Sequence, residues 1–296
     1  MYKLIDGKKI AAEIKLEIAS EVSKRKSSGL NIPHLAAILV GNDPSSEIYV
    51  ANKIKDCEEV GFKSTLIQLT STISQSELIE VINKLNNDDN IDGFIVQLPL
   101  PHHISEKVII GNIDPAKDVD GFHPLNIGKM VLGLPAFLPA TPLGIVEMIE
   151  RTGIETTGQH CVIIGRSNIV GRPLSILLSR KGMDATVTLV HTKTKDISEF
   201  TRKADILVAA AGIPGFVKAD MVKEGAVVID VGTTRVEAPA TKSGWKIAGD
   251  VDFNNVAPKC SFITPVPGGV GPMTRVSLLK NTLMAARLKD TDALNM

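Results

Sequence analysis

Tyr49 and Lys53 stand four residues apart in a stretch of helical character, which puts them on one face, with Ser46 one turn earlier. A lysine held partly away from water has its ammonium destabilised and can exchange protons near neutral pH, so the pair suits acid–base catalysis. The spacing equally describes a solvated lysine with a tyrosine packed on its stem, and by itself does not choose between the two. Gln97 adds to the catalytic reading: it follows an expected strand and approaches the same sheet edge, where an amide can orient an ammonium or bind a substrate amide. Asp118 and Asp120 alternate on a loop, a placement that turn formation explains as readily as chemistry does.

A second constellation lies in HCVIIGRSNIVGRPLS, residues 160–175. The apolar run 161–164 suits a parallel strand covered on both faces. Gly165 ends it, Gly171 follows six residues later, and Pro173 falls in the first turn of a helix, where its missing N–H is no loss. Strand, glycine turn and helix start aim free backbone N–H groups and a helix dipole at one point, which suits a phosphate. Arg166 and Ser167 add donors where a pyrophosphate would lie. The spacing is not G-x-G-x-x-G, and a plain strand-to-helix connection would also use glycine. An NAD site usually carries an acid at the end of the next strand for the ribose hydroxyls. Here TVTLVHTKTK, 186–195, offers hydroxyls and cations, His191 and Thr192 among them, and no carboxylate. With Arg166 nearby, that edge favours a 2′-phosphate, and the expected cofactor is NADP.

These residues need an α/β frame to hold them. An amphipathic helix is expected over 8–26, then a strand over 34–40 and a helix from Pro44 to Val60, capped by Asp43 and stopped at Gly61. A strand over 65–69, a helix over 75–85 and a strand over 91–96 complete a β-α-β-α-β series, with QLPLPHH (97–103) and DPAKDVDGFHP (114–124) as loops. Residues 135–142 read as a linker and 143–151 as a connecting helix. After the strand over 160–164, further strands are expected over 186–190, 206–210 and 226–231, and a last amphipathic helix over 276–288 needs an apolar partner in the first domain. The expected fold is α/β in two domains, each a mainly parallel sheet flanked by helices, the second Rossmann-like. Residues 1–140 form the first domain, completed by 275–296, and 141–274 the second. No internal repeat is visible.

Composition narrows the class. The chain has 296 residues, 44% of them hydrophobic, with 33 basic and 33 acidic side chains, so it offers no general attraction to nucleic acid or membranes. No run is long and apolar enough to span a bilayer. The opening MYKLIDGKKIAAEIK has neither a signal-peptide core nor a transit-peptide composition, which makes a cytoplasmic location the expectation. Cys57, Cys161 and Cys260 are far apart and read as packing residues, and His102, His103, His123 and His191 lack metal-ligand spacing, so no metal is expected.

Five blocks in order, SSEIYVANK (45–53), GFIVQLPLP (93–101), KDVDGFHP (117–124), GRSNIVGRP (165–173) and TPVPGGVGPMT (264–274), resemble the bifunctional methylenetetrahydrofolate dehydrogenase/cyclohydrolase family over nearly the whole chain. The resemblance implies an enzyme of one-carbon metabolism that oxidises 5,10-methylenetetrahydrofolate with NADP and hydrolyses the methenyl product to 10-formyltetrahydrofolate. It implies that Lys53 is the catalytic lysine, that Tyr49 stacks over the folate, that Gln97 supports Lys53 and that Asp120 holds the pterin's amino edge. Ser46, Leu98, Pro99, Pro265, Gly268 and Gly269 would line the folate site. Gly165, Arg166, Ser167, Val170, Gly171, His191, Thr192, Thr233 and Thr234 would bind the cofactor. A homodimer and a folate cleft between the domains are also implied. Three positions depart from the family: Ala140 stands where cysteine is frequent, Thr192 where serine is, and Gly232-Thr233-Thr234 replaces the usual Gly-Ile-Asn, which bears on nicotinamide contacts. Two other readings compete. Tyr49-x-x-x-Lys53 also resembles the short-chain dehydrogenase pair, but the glycine turn then belongs before it in the same domain. A non-catalytic nucleotide-binding regulator would need no acid–base pair at all.

Overall fold

The computed structural model of the chain, which describes residues 1–239, 241 and 244–294, starts with a two-residue strand, β1 (Lys3–Leu4), and a long helix, α1 (Gly7–Ser27). An alternation follows: β2 (His34–Val40), α2 (Pro44–Val60), β3 (Lys63–Leu69), α3 (Gln75–Asn86) and β4 (Gly93–Val96). Three helices come next, α4 (Glu106–Asn112), α5 (Pro124–Val131) and α6 (Ala140–Thr152). The alternation resumes through β5 (His160–Ile164), α7 (Gly171–Ser179), β6 (Thr186–Val190), α8 (Ile197–Thr201), β7 (Ile206–Ala209) and β8 (Val227–Asp230). An antiparallel hairpin, β9 (Thr234–Glu237) and β10 (Trp245–Ala248), precedes α9 (Phe253–Val256), β11 (Phe262–Ile263) and α10 (Val270–Leu294). No helix among the described residues is long and apolar enough to cross a membrane.

The chain forms two compact units. The first comprises Glu13–Ala140 and the segment from Arg275 onward. Its sheet is parallel, in the order β3-β2-β4, and every residue of β2 after His34 is buried, as a central strand covered on both faces requires. The Asp43 carboxylate caps α2 by accepting from Ser46 N at 2.8 Å, and Gly61 stops the helix at φ +80°. A reciprocal Ser74–Glu77 cap starts α3, which then lays Leu78, Ile82 and Leu85 onto a core with Ile38, Phe94 and Ile109.

The second unit comprises Met1–Ala12 and Thr141–Thr274. Its six-stranded sheet is parallel throughout, in the order β1-β11-β8-β7-β5-β6, and the strand order reverses at β5. The first twelve residues, expected in the first domain, lie here instead because Lys3 and Leu4 pair with Phe262 and Ile263 and extend this sheet by one strand. The loop expected over 114–124 ends in α5, whose N-cap is His123: its Nδ1 accepts from Leu125 N at 3.1 Å. The linker expected over 135–142 turns helical at Ala140, and the last helix starts six residues before 276, with Pro272 in its first turn. Residues 295 and 296, the end of the segment expected to complete the first domain, lie outside the described residues.

The structure also contains a repeat that the sequence does not show. His34 opens β2 and His160 opens β5, each the central strand of a second-first-third arrangement. The backbone N–H of each donates to the aspartate that precedes the third strand, Asp92 at 2.8 Å and Asp205 at 2.9 Å. Each ring lies between a backbone carbonyl two residues before that aspartate and the threonine at the third position of the second strand. For His34 the distances are 3.0 Å to Asn90 O and 2.8 Å to Thr65 Oγ1; for His160 they are 3.3 Å to Lys203 O and 2.9 Å to Thr188 Oγ1. Two β-α-β-α-β modules thus close with the same polar clamp at the amino ends of their strands.

Candidate active site

In the first unit the carboxyl ends of β2 and β4 carry the candidate chemistry. Gln97 extends the β2–β4 pairing by donating its N–H to Ile38 O at 2.9 Å, which fixes where its side chain starts. Its Nε2 donates to Leu98 O at 2.7 Å, leaving Oε1 to accept from Lys53 Nζ at 3.2 Å. The network dictates the amide's orientation, since an ammonium needs an acceptor and a carbonyl a donor. Lys53 projects from the middle of α2, a helix whose start is set by Asp43 and Pro44. Burial of its ammonium holds it below the ordinary lysine range, with the Asp120 carboxylate opposing. Burial raises Asp120 in turn, with Lys53 opposing. Burial thus works on both groups against their mutual attraction. Tyr49, one turn before Lys53, is exposed, and Ser46 is buried in the first turn of the helix.

The loop that presents Asp120 is held by residues that the sequence did not single out for this purpose. Asp118 is 1% exposed and accepts from Phe122 N at 3.3 Å, His123 N at 2.7 Å and Asn126 Nδ2 at 2.9 Å. Burial pushes its carboxyl up to about 6 against those hydrogen bonds. Asn281, on α10, donates to Val119 O at 2.8 Å and Leu138 O at 2.9 Å, clamping the loop from both sides. Gly121 has φ +74°, and a Cβ there would stand 2.5 Å from the Leu138 carbonyl carbon, so only glycine allows the chains to cross. The D-x-D-G pattern was the available signal; Asn126 and Asn281 carry none without the fold.

In the second unit the β5–α7 connection is built for close approach. Gly165 has φ +118°, and a Cβ on it would lie 2.2 Å from Ala210 O; one on Gly171 would lie 2.0 Å from Gly165 O. Residues 166–169 form an exposed turn, and Ser167 Oγ accepts from Val170 N at 3.1 Å and Gly171 N at 3.4 Å. This cradle, which side chains would fill, fits a dinucleotide pyrophosphate laid across the strand-order reversal. At the end of β6, His191 and Thr194 close a turn through His191 N to Thr194 Oγ1 at 3.0 Å, with Thr192 exposed. Asp196, the nearest acid downstream, accepts from Glu199 N at 3.3 Å and caps α8. Thr233 is exposed past β8, whereas Thr234 pairs with Ala248 in the hairpin.

The structure thus brings Lys53, Gln97 and Asp120 together and places Leu98 and Pro99 directly after them. Pro265, Gly268 and Gly269 belong to the second unit, where Gly268 O accepts from Lys8 N at 2.9 Å. The three cysteines are buried free thiols, and no group of three His, Cys, Asp or Glu among the described residues is placed to hold a metal ion.

A unit with a desolvated lysine at its sheet edge, and a second with a dinucleotide-type turn at the edge of a parallel sheet, define a nicotinamide-dependent α/β enzyme with an acid–base group. Residues 5–120 match the family model of the tetrahydrofolate dehydrogenase/cyclohydrolase catalytic domain, and 139–290 that of its NAD(P)-binding domain. The chain belongs to the tetrahydrofolate dehydrogenase/cyclohydrolase family. It is 59% identical to the bifunctional protein FolD of Flavobacterium johnsoniae over 97% of this chain and 98% of that one. The bifunctional methylenetetrahydrofolate dehydrogenase/cyclohydrolase of Campylobacter jejuni superposes with a TM-score of 0.92 at 49% identity, covering 98% of this chain and 100% of that one. The enzyme of Trypanosoma brucei, solved with NADP and an inhibitor, gives a TM-score of 0.93 at 37% identity, covering 97% and 98%.

Proposed function

We propose that the chain oxidises 5,10-methylenetetrahydrofolate to the methenyl compound with NADP and then hydrolyses it to 10-formyltetrahydrofolate, with Lys53 as the acid–base group. The observation that carries this reading is the desolvated Lys53 ammonium held by an uncharged acceptor, Gln97 Oε1, at 3.2 Å. NADP, when bound, supplies the acceptor for the substrate's hydride. That step leaves the protein no proton to move, so Lys53 and Asp120 contribute by placing the folate and by the charge they set around it.

Hydrolysis does require proton transfer. Water adds to the methenyl carbon, and a neutral Lys53 takes its proton. The resulting ammonium returns that proton to the pterin nitrogen as its bond to the carbon breaks, and the hydroxyl on that carbon releases its remaining proton to solvent as the C=O forms, leaving the formyl group on the other nitrogen. Burial favours the neutral amine at the start, while Asp120 limits how far the ammonium is disfavoured. Gln97 fixes one N–H of the amine without adding charge. Asp120 accepts from the pterin's amino edge, and Tyr49 stacks on its ring. Arg166, Ser167 and Thr192 bind the phosphates of NADP, and no acid stands at the end of β6 to take the ribose hydroxyls in place of a 2′-phosphate. The family resemblance supports a homodimer in the cytoplasm, and light scattering of the purified protein checks the dimer.

The test is Lys53→Gln, of similar reach and unable to exchange protons. Cyclohydrolase activity should be nearly lost, by about 10²–10⁴-fold, with dehydrogenase activity still measurable in the same folded preparation. A surviving cyclohydrolase rate rules Lys53 out as the acid–base group.

A further inference from the structure

The mechanism above uses neither of two buried carboxylates at the carboxyl edge of the six-stranded sheet. Asp230, the last residue of β8, is 3% exposed and Asp250 is 0% exposed. Asp230 Oδ1 accepts from Gly232 N at 2.9 Å and Asp250 N at 2.8 Å, and its Oδ2 from Val251 N at 2.9 Å. Asp250 reaches the other way. Its Oδ2 accepts from Ala211 N at 2.6 Å and Gly212 N at 2.9 Å, in the turn that follows β7, and the Ile213 N–H also stabilises its charged form, while Oδ1 completes no hydrogen bond among the described residues. Two glycines make room for the pair: a Cβ on Gly249 would lie 2.0 Å from Asp230 Oδ2, and one on Gly232 would lie 2.4 Å from Asp250 Oδ1.

Joining strand ends does not require such an arrangement. A buried carboxylate with an orphaned oxygen is costly, and exceptions of this kind call for an explanation at a functional site. The location supplies one. A dinucleotide laid across the β5–α7 turn has its 2′-phosphate half over the end of β6, so its other half runs over the ends of β7 and β8. Those ends are residues 210–213 and 231–234, the two segments that Asp250 touches, one by its hydrogen bonds and the other beneath Gly232. We propose that Asp250, fixed in place by Asp230, is a positioning residue that preforms the nicotinamide half of the NADP site by locking the turn after β7 against the strand end at Gly232. Asp250 itself touches no ligand; it acts through the backbone of the two segments. The proposal rests on the reading of the second unit as the NADP-binding one.

The full-length protein tests it with two readouts: the Kd for NADP by calorimetry, and cyclohydrolase activity measured from the methenyl compound without NADP. Asp250→Ala leaves two backbone N–H groups unpaired and should raise the NADP Kd at least about tenfold. Its cyclohydrolase rate should stay at the wild-type level, which a merely unfolded protein could not show. Asp250→Asn keeps an oxygen for the same two N–H groups and should restore binding. An unchanged Kd in the alanine variant, a parallel loss of both readouts, or failure of asparagine to rescue overturns the proposal. Should the alanine variant not fold, hydrogen exchange on the wild type decides. The amides of Ala211 and Gly212 must exchange slowly in the free enzyme, and residues 211–213 and 232–234 must slow further, together, when NADP binds; fast exchange at 211 and 212 refutes it. A wild type that does not bind NADP at all refutes the underlying reading instead.

Discussion

Replacing Gln97 by glutamate changes one atom group beside Lys53 and tests why the acceptor there is uncharged. The acceptor stands 3.2 Å from the ammonium. At that distance and an effective dielectric constant near 20, a full negative charge attracts the ammonium by about 5 kcal/mol. Both side chains are half-buried, so solvent screening reduces this by roughly half, to about 2–3 kcal/mol. That preference for the charged form lowers the fraction of neutral Lys53 at fixed pH by about a hundredfold. A hydrolytic step that begins with a neutral amine should slow by about the same factor near neutral pH and recover roughly tenfold per pH unit as the solution is made more alkaline. Hydride transfer needs no amine and should fall less. Glutamate also loses the Gln97 Nε2 to Leu98 O bond of 2.7 Å, a structural cost that both activities share, so the readout is the ratio of the two rates as a function of pH. A Gln97→Glu enzyme whose ratio does not move with pH would refute the argument that Lys53 acts as a base.

Arg166→Ala should weaken NADP much more than NAD, by about 1.5–3 kcal/mol, because only NADP loses a charge-assisted phosphate contact; equal losses in calorimetric titrations would count against a 2′-phosphate site there. Asp120→Asn removes the charge that favours the Lys53 ammonium and, on the role proposed for it, the acceptor for the pterin's amino edge, and should raise the folate KM or stop turnover; unchanged folate kinetics would return Asp120 to a turn-forming role. Asp118 titrates at about 6 when folded, above its unfolded value, so the native state holds the extra proton between about pH 4 and 6, and stability falls as pH rises through that window. Relative to Asp118→Asn, which cannot titrate, the wild type should lose about 1 kcal/mol between pH 5 and 7 in denaturant unfolding, and a difference that is flat or of opposite sign would show that the carboxyl is not raised.

Local chemistry was legible where one segment determines it. Asp43-Pro44 and Gly61 bound α2 at the expected residues because an N-cap, a first-turn proline and a left-handed stop act within a few positions. The run after His34 declared a buried strand by its lack of polar residues. What the sequence concealed depends on contacts between distant segments. Lys3 and Leu4 form a strand only because Phe262 and Ile263 offer an open edge, and two residues carry no periodicity to read. Asp118 and Asp120 look alike in sequence. Three donors close on the first, while the second is half-buried near an ammonium, and only the folded loop separates a carboxylate tied up by donors from one that is not.

The repeated histidine clamps show how one frame serves two chemistries. His34 with Asp92 and Thr65, and His160 with Asp205 and Thr188, fix the amino ends of two equivalent strand sets by the same contacts. The difference lies at the opposite edge, where each central strand runs into a helix. In the first unit that helix start is occupied by the protein's own carboxylate, Asp43, which accepts from Ser46 N, and the helix is left to present Tyr49 and Lys53 one and two turns further on. In the second unit the N-cap, Val170, has no side-chain acceptor, and the first N–H groups meet neutral oxygens of Ser167, its hydroxyl for Val170 and Gly171 and its backbone carbonyl for Arg172 at 3.1 Å. A helix start already capped by an anion has little to offer a phosphate, and one capped by a hydroxyl keeps its positive end for a ligand. On the roles proposed for Lys53 and the β5–α7 turn, the choice of residue at one cap separates a module that offers a base from a module that binds a dinucleotide, and the equivalence of the two is invisible in sequence because a clamp of three side chains spread over more than forty residues leaves no run to align.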